Sequence, residues 1–250
     1  MKYKYIINPD YEYLRKFIEK VPNAFDHEGV LVYDQRNQVR IFKEKGEKIV
    51  VKRFHRSLLP QRFDYTFLRP SKAKRAYTYG LKLLELGIST PTPIACIEEY
   101  KLGLFRRGYL VSAYCGDPDA RVLREEWEKR DDLVEGLAHF LVKMHEKGFL
   151  HGDTNLSNFL YHADPAAPGG VSFTTIDINR SHFVENPTKE ECLRSLMRLT
   201  HVRPAMKKIV ARYAELRGWN ADECYNFIID ELKAFESRRE KKKKIKSAFK

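Results

Sequence analysis

Residues 151–177 constrain the fold of this chain more than any other stretch. Asp153 lies five residues before Asn158, in a loop between a helix-like run and the strand-like residues 159–161. Asp177 then ends a second β-type run. Phosphoryl transfer with kinase geometry needs two carboxylates and one amide of this kind. The Asp–Asn spacing alone is common in loops, so the elements around it carry the interpretation.

The first half of the chain is predicted to be rich in β-structure. Residues 30–54 contain three β-like runs separated by turn-rich segments, and two more strands are expected at 94–97 and 108–113. Ser71 caps a predicted helix that ends at Leu86. We therefore predict a five-stranded antiparallel sheet with one helix. A short amphipathic helix is expected before it, over residues 11–21, ending before a proline.

The second half is predicted to be helical. Residues 131–147 carry apolar side chains at helical spacing, which indicates a core-facing helix. Two capping patterns predict further helices, after Thr188 and after Asn220. The predicted organisation is an N-terminal nucleotide-binding lobe at 1–115, a C-terminal α-rich catalytic lobe at 116–237 and a basic tail at 238–250.

Lys52 is the next candidate for a functional role. It ends a β-run in the third strand of the first lobe, where a kinase needs a lysine that reaches the α- and β-phosphates. An isolated lysine on an alternating strand would simply face the solvent. The position of Lys52 in the predicted topology favours the phosphate role.

The chain resembles the Kdo/WaaP lipopolysaccharide kinase family, a branch of the protein-kinase-like superfamily that acts on inner-core sugars. Segments spread over nearly the whole chain carry this resemblance: Val50–His55, Ser71–Arg75, Leu84–Pro93, His151–Asn158 and Ile176–Arg180. The catalytic motifs are specific to the superfamily, whereas the Leu-Gly-Ile-x-Thr-Pro and Asp-Ile-Asn-Arg segments point to this family. The resemblance implies an α+β, protein-kinase-like fold with a β-rich and an α-rich lobe.

The resemblance also implies roles for the candidate residues. Asp153 would be the catalytic base, and Asn158 and Asp177 would hold Mg²⁺. Lys52 would anchor the phosphates of ATP, and the turn ending at Asn37 would cover them. The connector between the lobes would hold adenine through its backbone, at Ser112, Ala113, Tyr114 and Cys115.

Two residues near the catalytic motifs are candidates for substrate contacts. Arg180 would contact an acidic sugar or the transferred phosphate, or would form a structural ion pair in the second lobe. His151 is the second candidate for a substrate contact. We expect His151 to orient the loop by hydrogen bonds and not to act as the base. Asn155 and Ser157 are expected to shape the loop.

Several departures from the protein-kinase pattern bear on activity. The first lobe has no G-x-G-x-x-G motif, and residues 76–78 offer no glutamate to pair with Lys52, while Glu85 lies two turns further on. Asp177 is followed by Ile178 and not by the phenylalanine and glycine of many protein kinases. The segment after Asp177 is short. These features argue for a small-molecule kinase that is constitutively assembled.

The positive charge of the chain is concentrated at its C-terminus. The net charge is +12, and residues 238–250 carry eight Lys or Arg and one Glu, a net +7. Such a segment could be a solvated end, could contact nucleic acid or could lie on an anionic membrane, with Ile245 and Phe249 adding apolar contact. A nucleic-acid role is not expected, because no recognisable nucleic-acid-binding module accompanies the tail.

Composition favours a cytoplasmic protein, and the resemblance implies that it is peripheral to the inner membrane. No apolar run approaches the roughly 20 residues needed to span a bilayer, and the N-terminus lacks the apolar core of a secretory signal. The four cysteines are far apart, with no C-x-x-C pair, so reduced thiols are predicted.

The sequence thus favours a kinase that uses ATP and Mg²⁺ to phosphorylate a hydroxyl of Kdo or heptose. Its partners would be a lipid-linked sugar, a lipopolysaccharide precursor, and an anionic membrane bound through Arg238–Lys250. Two alternatives remain open. One is a soluble small-molecule kinase of the aminoglycoside or choline type, and the other is a membrane-associated pseudokinase scaffold.

Overall fold

A computed structural model describes residues 1–248 of the chain, with side chains described as far as residue 241. The residues fall into two compact units. The first comprises Met1–Gly116 with Asp177–Asn179, and the second comprises Asp117–Ile176 with Arg180–Lys250.

The first unit is built on an antiparallel sheet that has six strands within the described residues: β1 Lys2–Ile7, β2 Val30–Asp34, β3 Gln38–Glu44, β4 Glu47–Arg53, β5 Pro93–Lys101 and β6 Leu104–Ala113. Their order across the sheet is β1-β5-β6-β4-β3-β2. The five predicted strands are present, but the prediction missed β1. Its alternating lysines and tyrosines pair along β5, from Lys2 opposite Tyr100 to Ile7 opposite Ala95.

Both helices predicted in this lobe, over residues 11–21 and after Ser71, are present, but a short third helix was missed. The described residues of the unit hold α1 Arg15–Ala24, α2 Leu59–Phe63 and α3 Lys72–Glu85, and α2 continues directly into a π-helical turn at Asp64–Leu68. The predicted cap of α3 is confirmed, because Ser71 Oγ accepts a hydrogen bond from the Lys74 amide at 3.1 Å. Gly87, with φ +72°, follows the end of α3, as a C-terminal glycine should.

The expected end of α1 was also wrong. The helix begins later than predicted, after a 3₁₀ turn at Pro9–Leu14, and it runs through Pro22 to Ala24. Proline removes one backbone donor from a helix. Burial of Val21, Ala24 and Phe25 in the core of the first unit offsets that loss, because apolar side chains gain free energy on leaving water.

The second unit is mainly helical, as predicted. Its helices are α4 Asp131–Glu146, α5 Lys189–Leu196, α6 Arg203–Leu216 and α7 Ala221–Ala248, and its short strand pairs are β7 Phe149–Leu150 with β10 His182–Phe183 and β8 Phe159–Ala163 with β9 Val171–Thr175. The predicted caps are confirmed. Thr188 and Glu191 form a reciprocal capping box, and the Asn220 side chain accepts from the Glu223 amide at 3.0 Å.

His145 lies on α4 and joins this helix to α5 and α6. Its Nδ1 lies 2.8 Å from the hydroxyl of Tyr213 on α6, and its Nε2 lies 2.9 Å from Ser195 Oγ on α5. The ring is fully enclosed, and burial, with a smaller contribution from the charge of Arg217, lowers the pKa of His145 to about 3. The imidazole is therefore neutral at physiological pH.

The C-terminal helix takes in most of the predicted basic tail. Helix α7 extends through Arg238 to Ala248, whereas Phe249 and the side chain of Ile245, both expected to touch a membrane, lie outside the described residues. Within the described residues, no helix combines the length and apolarity that a membrane span requires. All four cysteines carry free thiols, as predicted.

Candidate active site

Lys52 and Asp177 form an ion pair within the first unit. Lys52 lies on β4, opposite Val39 of β3 and Leu110 of β6. Its Nζ is 2.8 Å from Asp177 Oδ1, and it also lies 5.5 Å from the ring centroid of Phe54. Lys52 therefore has an acidic partner in Asp177, although the sequence showed none on α3. The expected position on that helix falls at Ala76 and Tyr77, which are buried.

The backbone of Asp177 adopts an unusual conformation. Its φ is +57°, in the left-handed region that few residues other than glycine occupy. Aspartate is among the residues that tolerate this region. The Asn179 side chain donates a hydrogen bond to Asp177 Oδ1, so an amide and an ammonium group hold the same carboxylate oxygen. These contacts fix the direction of a carboxylate that the sequence assigned to metal binding.

The second unit organises the loop around Asp153. His151 is buried, and its Nε2 lies 2.9 Å from the Ile176 carbonyl oxygen. A carbonyl oxygen only accepts, so Nε2 carries the proton, and Nδ1 accepts a hydrogen bond from the Asp153 amide at 3.3 Å. The expected orienting role of His151 fits these contacts. They offer no support for a direct contact between His151 and the substrate, which stays a prediction.

Asn158 holds the same loop from its other end. Its Nδ2 donates to the Asp153 carbonyl oxygen at 2.9 Å, and its own carbonyl accepts from the Ile176 amide at 2.9 Å. Because the side-chain nitrogen is engaged, the amide oxygen is the atom that Asn158 can offer to a further partner. Asn155 and Ser157 shape the turn between them: Asn155 Oδ1 accepts from the Ser157 amide at 3.1 Å.

Two arginines contact the carboxylate of Asp153. Arg180 Nη1 lies 2.9 Å from Oδ2, and Arg198 Nη1 lies 3.0 Å from Oδ1. Both guanidinium groups are partly exposed, and the aspartate is more enclosed than either of them. Arg180 thus forms the ion pair that the sequence left as one of two possibilities. Each oxygen of the predicted base is already bound to a cation.

Sequence reasoning missed Arg198, which lies two residues beyond the end of α5 and belongs to no recognisable motif. Its position depends on a backbone contact: the Leu156 amide donates to the Leu199 carbonyl at 3.0 Å. That bond joins the turn after α5 to the Asp153 loop. A sequence shows no such pairing between segments forty residues apart, so no signal in the residues alone could have identified Arg198.

Gly152 stands where many protein kinases have an arginine, and the structure gives the reason for glycine. Its φ is +70°, and a Cβ atom there would lie 2.4 Å from the Arg180 carbonyl oxygen. Such a contact is far shorter than any real Cβ makes. A larger residue would have to displace the backbone that carries Arg180, so glycine is required at this position.

The connector predicted to bind adenine forms the end of β6 and the residues that follow it. Ser112 pairs with Val50 of β4. The amide of Ala113 donates to the Thr92 carbonyl at 2.9 Å, and the amide of Tyr114 donates to the Lys48 carbonyl at 3.3 Å. These two amides are engaged in the first unit. Adenine binding at Ser112–Cys115 stays a prediction, and carbonyl oxygens are the groups best suited to make it.

The turn predicted to cover the phosphates lies between β2 and β3. Asn37 accepts a hydrogen bond from the His55 amide through its Oδ1 at 3.2 Å. This contact ties the turn to the chain just beyond β4, the strand that carries Lys52. The phosphate contact of Asn37 itself stays a prediction.

The metal assignment rests on oxygen donors. Among the described residues, no group of three or more His, Cys, Asp or Glu side chains could hold a metal ion. The set expected here is smaller, with the Asp177 carboxylate and the Asn158 amide oxygen. Mg²⁺ is usually bound through one or two carboxylates, with water and phosphate oxygens completing its octahedral shell. Each of these two groups taken by itself is an oxygen donor of the kind that Mg²⁺ accepts, and metal binding by Asp177 and Asn158 stays a prediction.

Comparison with known proteins decides the family. The lipopolysaccharide kinase (Kdo/WaaP) family matches residues 29–212, which is more than half of the chain. The chain belongs to the lipopolysaccharide kinase (Kdo/WaaP) family. Members of this family are phosphotransferases acting on lipopolysaccharide, an activity that uses ATP. No curated protein matches the chain.

Solved structures place the Kdo/WaaP chain in a known fold. The structure of WaaP in complex with acyl carrier protein matches with a TM-score of 0.62 at 17% identity, covering 95% of this chain and 98% of that one. The predicted protein-kinase-like, two-lobe α+β fold is thereby confirmed. The Rio2 kinase–ADP/Mg²⁺–phosphoaspartate complex from Chaetomium thermophilum matches with a TM-score of 0.46 at 16% identity, covering 95% and 78%.

Proposed function

We propose that this Kdo/WaaP family member uses ATP and Mg²⁺ to phosphorylate a hydroxyl of Kdo or heptose in the lipopolysaccharide inner core. The observation that carries the proposal is the loop around Asp153. His151 and Asn158 hold its backbone from two sides, and Arg180 and Arg198 each contact one oxygen of its carboxylate. A fixed carboxylate at this position suits the removal of a proton from an attacking hydroxyl.

Each candidate residue takes one task in this proposal. Asp153 orients the acceptor hydroxyl and receives its proton on a carboxylate oxygen. Lys52 binds the α- and β-phosphates through its Nζ, and Asp177 and Asn158 supply oxygen ligands. Mg²⁺, when bound, neutralises charge on the phosphates during transfer. The ion pair between Lys52 and Asp177 supports this assignment, because it keeps a phosphate-binding cation beside a metal-binding carboxylate.

Arg180 and Arg198 are proposed to recognise the acceptor. Both are partly exposed and could exchange the Asp153 carboxylate for an anionic group of the substrate. An acidic sugar that takes over one guanidinium would also release an oxygen of the base. Two cations beside the base disfavour a cationic acceptor such as an aminoglycoside or choline. The charge at this point therefore favours the lipopolysaccharide sugar over the soluble alternative.

The protein is proposed to act in the cytoplasm, peripheral to the inner membrane, where the lipid-linked acceptor would be found. The basic residues from Arg238 to Lys250 would add electrostatic attraction to an anionic leaflet. Removing them should weaken sedimentation with anionic vesicles most clearly at low salt, because screening shortens the reach of surface charges. Vesicle binding that does not change on truncation would remove this part of the proposal.

Phosphate transfer tests the proposed function. Purified protein is incubated with γ-labelled ATP, Mg²⁺ and either a Kdo–lipid A or a heptose-bearing acceptor, beside the Asp153→Asn variant. The proposal expects label on one acceptor class with wild-type protein and near-background label with the variant. ATP binding without transfer to either acceptor would support the pseudokinase scaffold instead.

A further inference from the structure

The segment between β4 and α3 presents an apolar face to solvent. Five of its side chains are between 53% and 82% exposed: Leu58, Leu59, Phe63, Phe67 and Leu68. We call these five residues the apolar face. Scattered exposed apolar residues are ordinary on protein surfaces, but a contiguous group of large ones marks an interaction site.

The opposite side of this segment is fixed to the sheet, so the outward direction of the apolar face follows from the fold. Arg62 Nε donates to the Phe105 carbonyl at 2.8 Å, and Thr66 Oγ1 accepts from the Phe105 amide at 2.9 Å. Tyr65 is buried, with its ring centroid 5.4 Å from that of Phe105. Inward groups thus alternate with the outward ones along α2 and the π-helical turn.

The outward residues form a single raised surface. Leu59, Phe63 and Phe67 follow one another at intervals of four residues, which places them on one side of a helical segment. The rings of Phe63 and Phe67 are in contact, with centroids 6.2 Å apart. Leu102, at the tip of the β5–β6 hairpin, is 92% exposed. Arg62 Nη2 donates to the Lys101 carbonyl at 3.2 Å, which holds this tip beside the segment.

The segment that carries the apolar face has a net positive charge. Residues 55–70 contain three arginines and one aspartate, a net +2 (three minus one), and Lys101 is exposed beside Leu102. The aspartate, Asp64, pairs with Arg69 at 2.5 Å. Projecting Leu and Phe side chains on a segment of net positive charge are features by which a protein lies on an anionic bilayer without crossing it.

We propose that the apolar face, with Leu102, inserts into the headgroup region of an anionic lipid bilayer. A raised row of separate side chains suits insertion between lipids, whereas a protein partner would have to supply a groove shaped to it. This surface belongs to the first unit and is independent of the basic C-terminal helix. Only its benefit to catalysis rests on the proposed function, since a docked enzyme would meet a lipid-linked acceptor at the membrane.

Vesicle flotation with the full-length protein tests the proposal. The probe is a vesicle of phosphatidylglycerol and phosphatidylethanolamine, with phosphatidylcholine vesicles for comparison. The Phe63→Ser/Phe67→Ser variant should lose about tenfold or more of its partition into anionic vesicles, because apolar burial scales with area. The matched control is Val30→Ser/Val32→Ser, which removes equally exposed side chains from the edge strand β2 and should bind as wild type.

A Phe67→Trp variant provides a second readout that does not depend on loss of binding. Its fluorescence should shift to shorter wavelength on anionic vesicles and should be quenched by brominated lipid. The shift should persist at high salt, where the contribution of the basic tail is screened. No shift, or equal flotation of the Phe63→Ser/Phe67→Ser variant and wild type, would overturn the proposal. The proposal would also be overturned if the Phe63→Ser/Phe67→Ser variant floated as wild type does but no longer bound a soluble protein that wild type binds. The apolar face would then be a protein-docking site.

The outcome can be separated from the fate of the proposed function. Vesicle flotation needs neither nucleotide nor acceptor, so it would stand even if no sugar were phosphorylated. In the transfer assay, the Phe63→Ser/Phe67→Ser variant should phosphorylate a deacylated, water-soluble acceptor at the wild-type rate. Its rate on acceptor embedded in anionic vesicles should fall about tenfold, in step with its partition.

Discussion

Arg198 forms an ion pair with Asp153, with its Nη1 lying 3.0 Å from the carboxylate oxygen Oδ1. The guanidinium carbon of Arg198 lies 6.0 Å from the ring centroid of Phe235 on α7. One side chain thus contacts both the proposed catalytic base and the C-terminal helix. Arg194, one turn earlier, makes the parallel contacts with Glu231 at 3.1 Å and with the Phe227 ring at 5.9 Å, but it does not reach the base.

This pairing gives the first prediction. If Arg198 recognises the acceptor anion, Arg198→Ala should raise KM for an acidic sugar acceptor about tenfold while KM for ATP stays unchanged, because a charge-assisted hydrogen bond is lost. Steady-state kinetics with each substrate varied in turn measures both constants. Arg194→Ala is the matched control and should leave both unchanged. Equal effects of the two substitutions would show that Arg198 only supports the packing of α7.

The Lys52–Asp177 pair gives the second prediction. Lys52→Met should lower kcat/KM for ATP by roughly 10²–10³, as expected for removal of one preorganised charged donor at a reacting phosphate. Lys48→Met, on the same strand but directed over the Tyr114 ring, serves as the control and should keep most activity. Nucleotide affinity measured by calorimetry checks whether the loss lies in binding or in turnover. Full activity in Lys52→Met would remove the phosphate-anchor role.

The third prediction concerns Gly152. An alanine there would combine a strained φ of +70° with a Cβ contact at 2.4 Å to the Arg180 carbonyl, so Gly152→Ala should destabilise the protein by about 1–3 kcal/mol. Gly218→Ala is the control, because Gly218 has a φ of +67° but nothing within 4 Å of an added Cβ. The loss of stability in Gly218→Ala therefore measures the effect of the strained φ alone, without a steric contact. Urea unfolding measures both, and equal losses would show that the Arg180 backbone yields without cost.

The fourth prediction is a dependence of stability on pH. Folded His145 has its pKa lowered to about 3 from an ordinary value of 6.5, so below pH 6.5 the unfolded chain takes up a proton that the folded chain refuses. Stability from this group is therefore complete above pH 6.5 and falls as pH decreases toward 3, by about 1.4 kcal/mol per pH unit.

Unfolding free energies of wild type and His145→Gln, measured from pH 7.5 to pH 4.5, check this sign. The stability advantage of wild type over the variant should be constant above pH 6.5 and should shrink below it. Parallel curves across the whole range would mean that the imidazole is not kept neutral by burial.

Much of the fold could be predicted from local signals, and the omissions have physical causes. Strands β2 to β6, the cap of α3 and the capping box of α5 follow from alternation and turn chemistry. Strand β1 was not predicted because its six residues form a strand by pairing with β5. That pairing joins segments about ninety residues apart and leaves no local signal in the sequence. The path of α1 through Pro22 depends on tertiary burial, which outweighs the helix-breaking tendency of proline.

In the candidate site, too, the residues that stand in local motifs were predicted and the residues that contact them were not. Asp153, Asn158 and Asp177 stand in motifs whose spacing encodes their chemistry, so they were identifiable at once. The partners that hold them were not. Arg198 reaches Asp153 through a backbone pairing between distant segments, and Asp177 replaces the glutamate expected on α3 as the partner of Lys52. Such partners depend on the folded path of the chain and not on any local pattern.

Phosphate transfer to a defined acceptor is the measurement that bears on the kinase proposal without intermediate assumptions. Wild-type protein and Asp153→Asn are each given ATP, Mg²⁺ and Kdo–lipid A or its heptose-extended form, and the product is examined by mass spectrometry. We expect a product heavier by one phosphoryl group, located on a Kdo or heptose hydroxyl, and a rate for the variant lower by about 10²–10⁴. Transfer at an equal rate by Asp153→Asn, with both proteins folded, would contradict it.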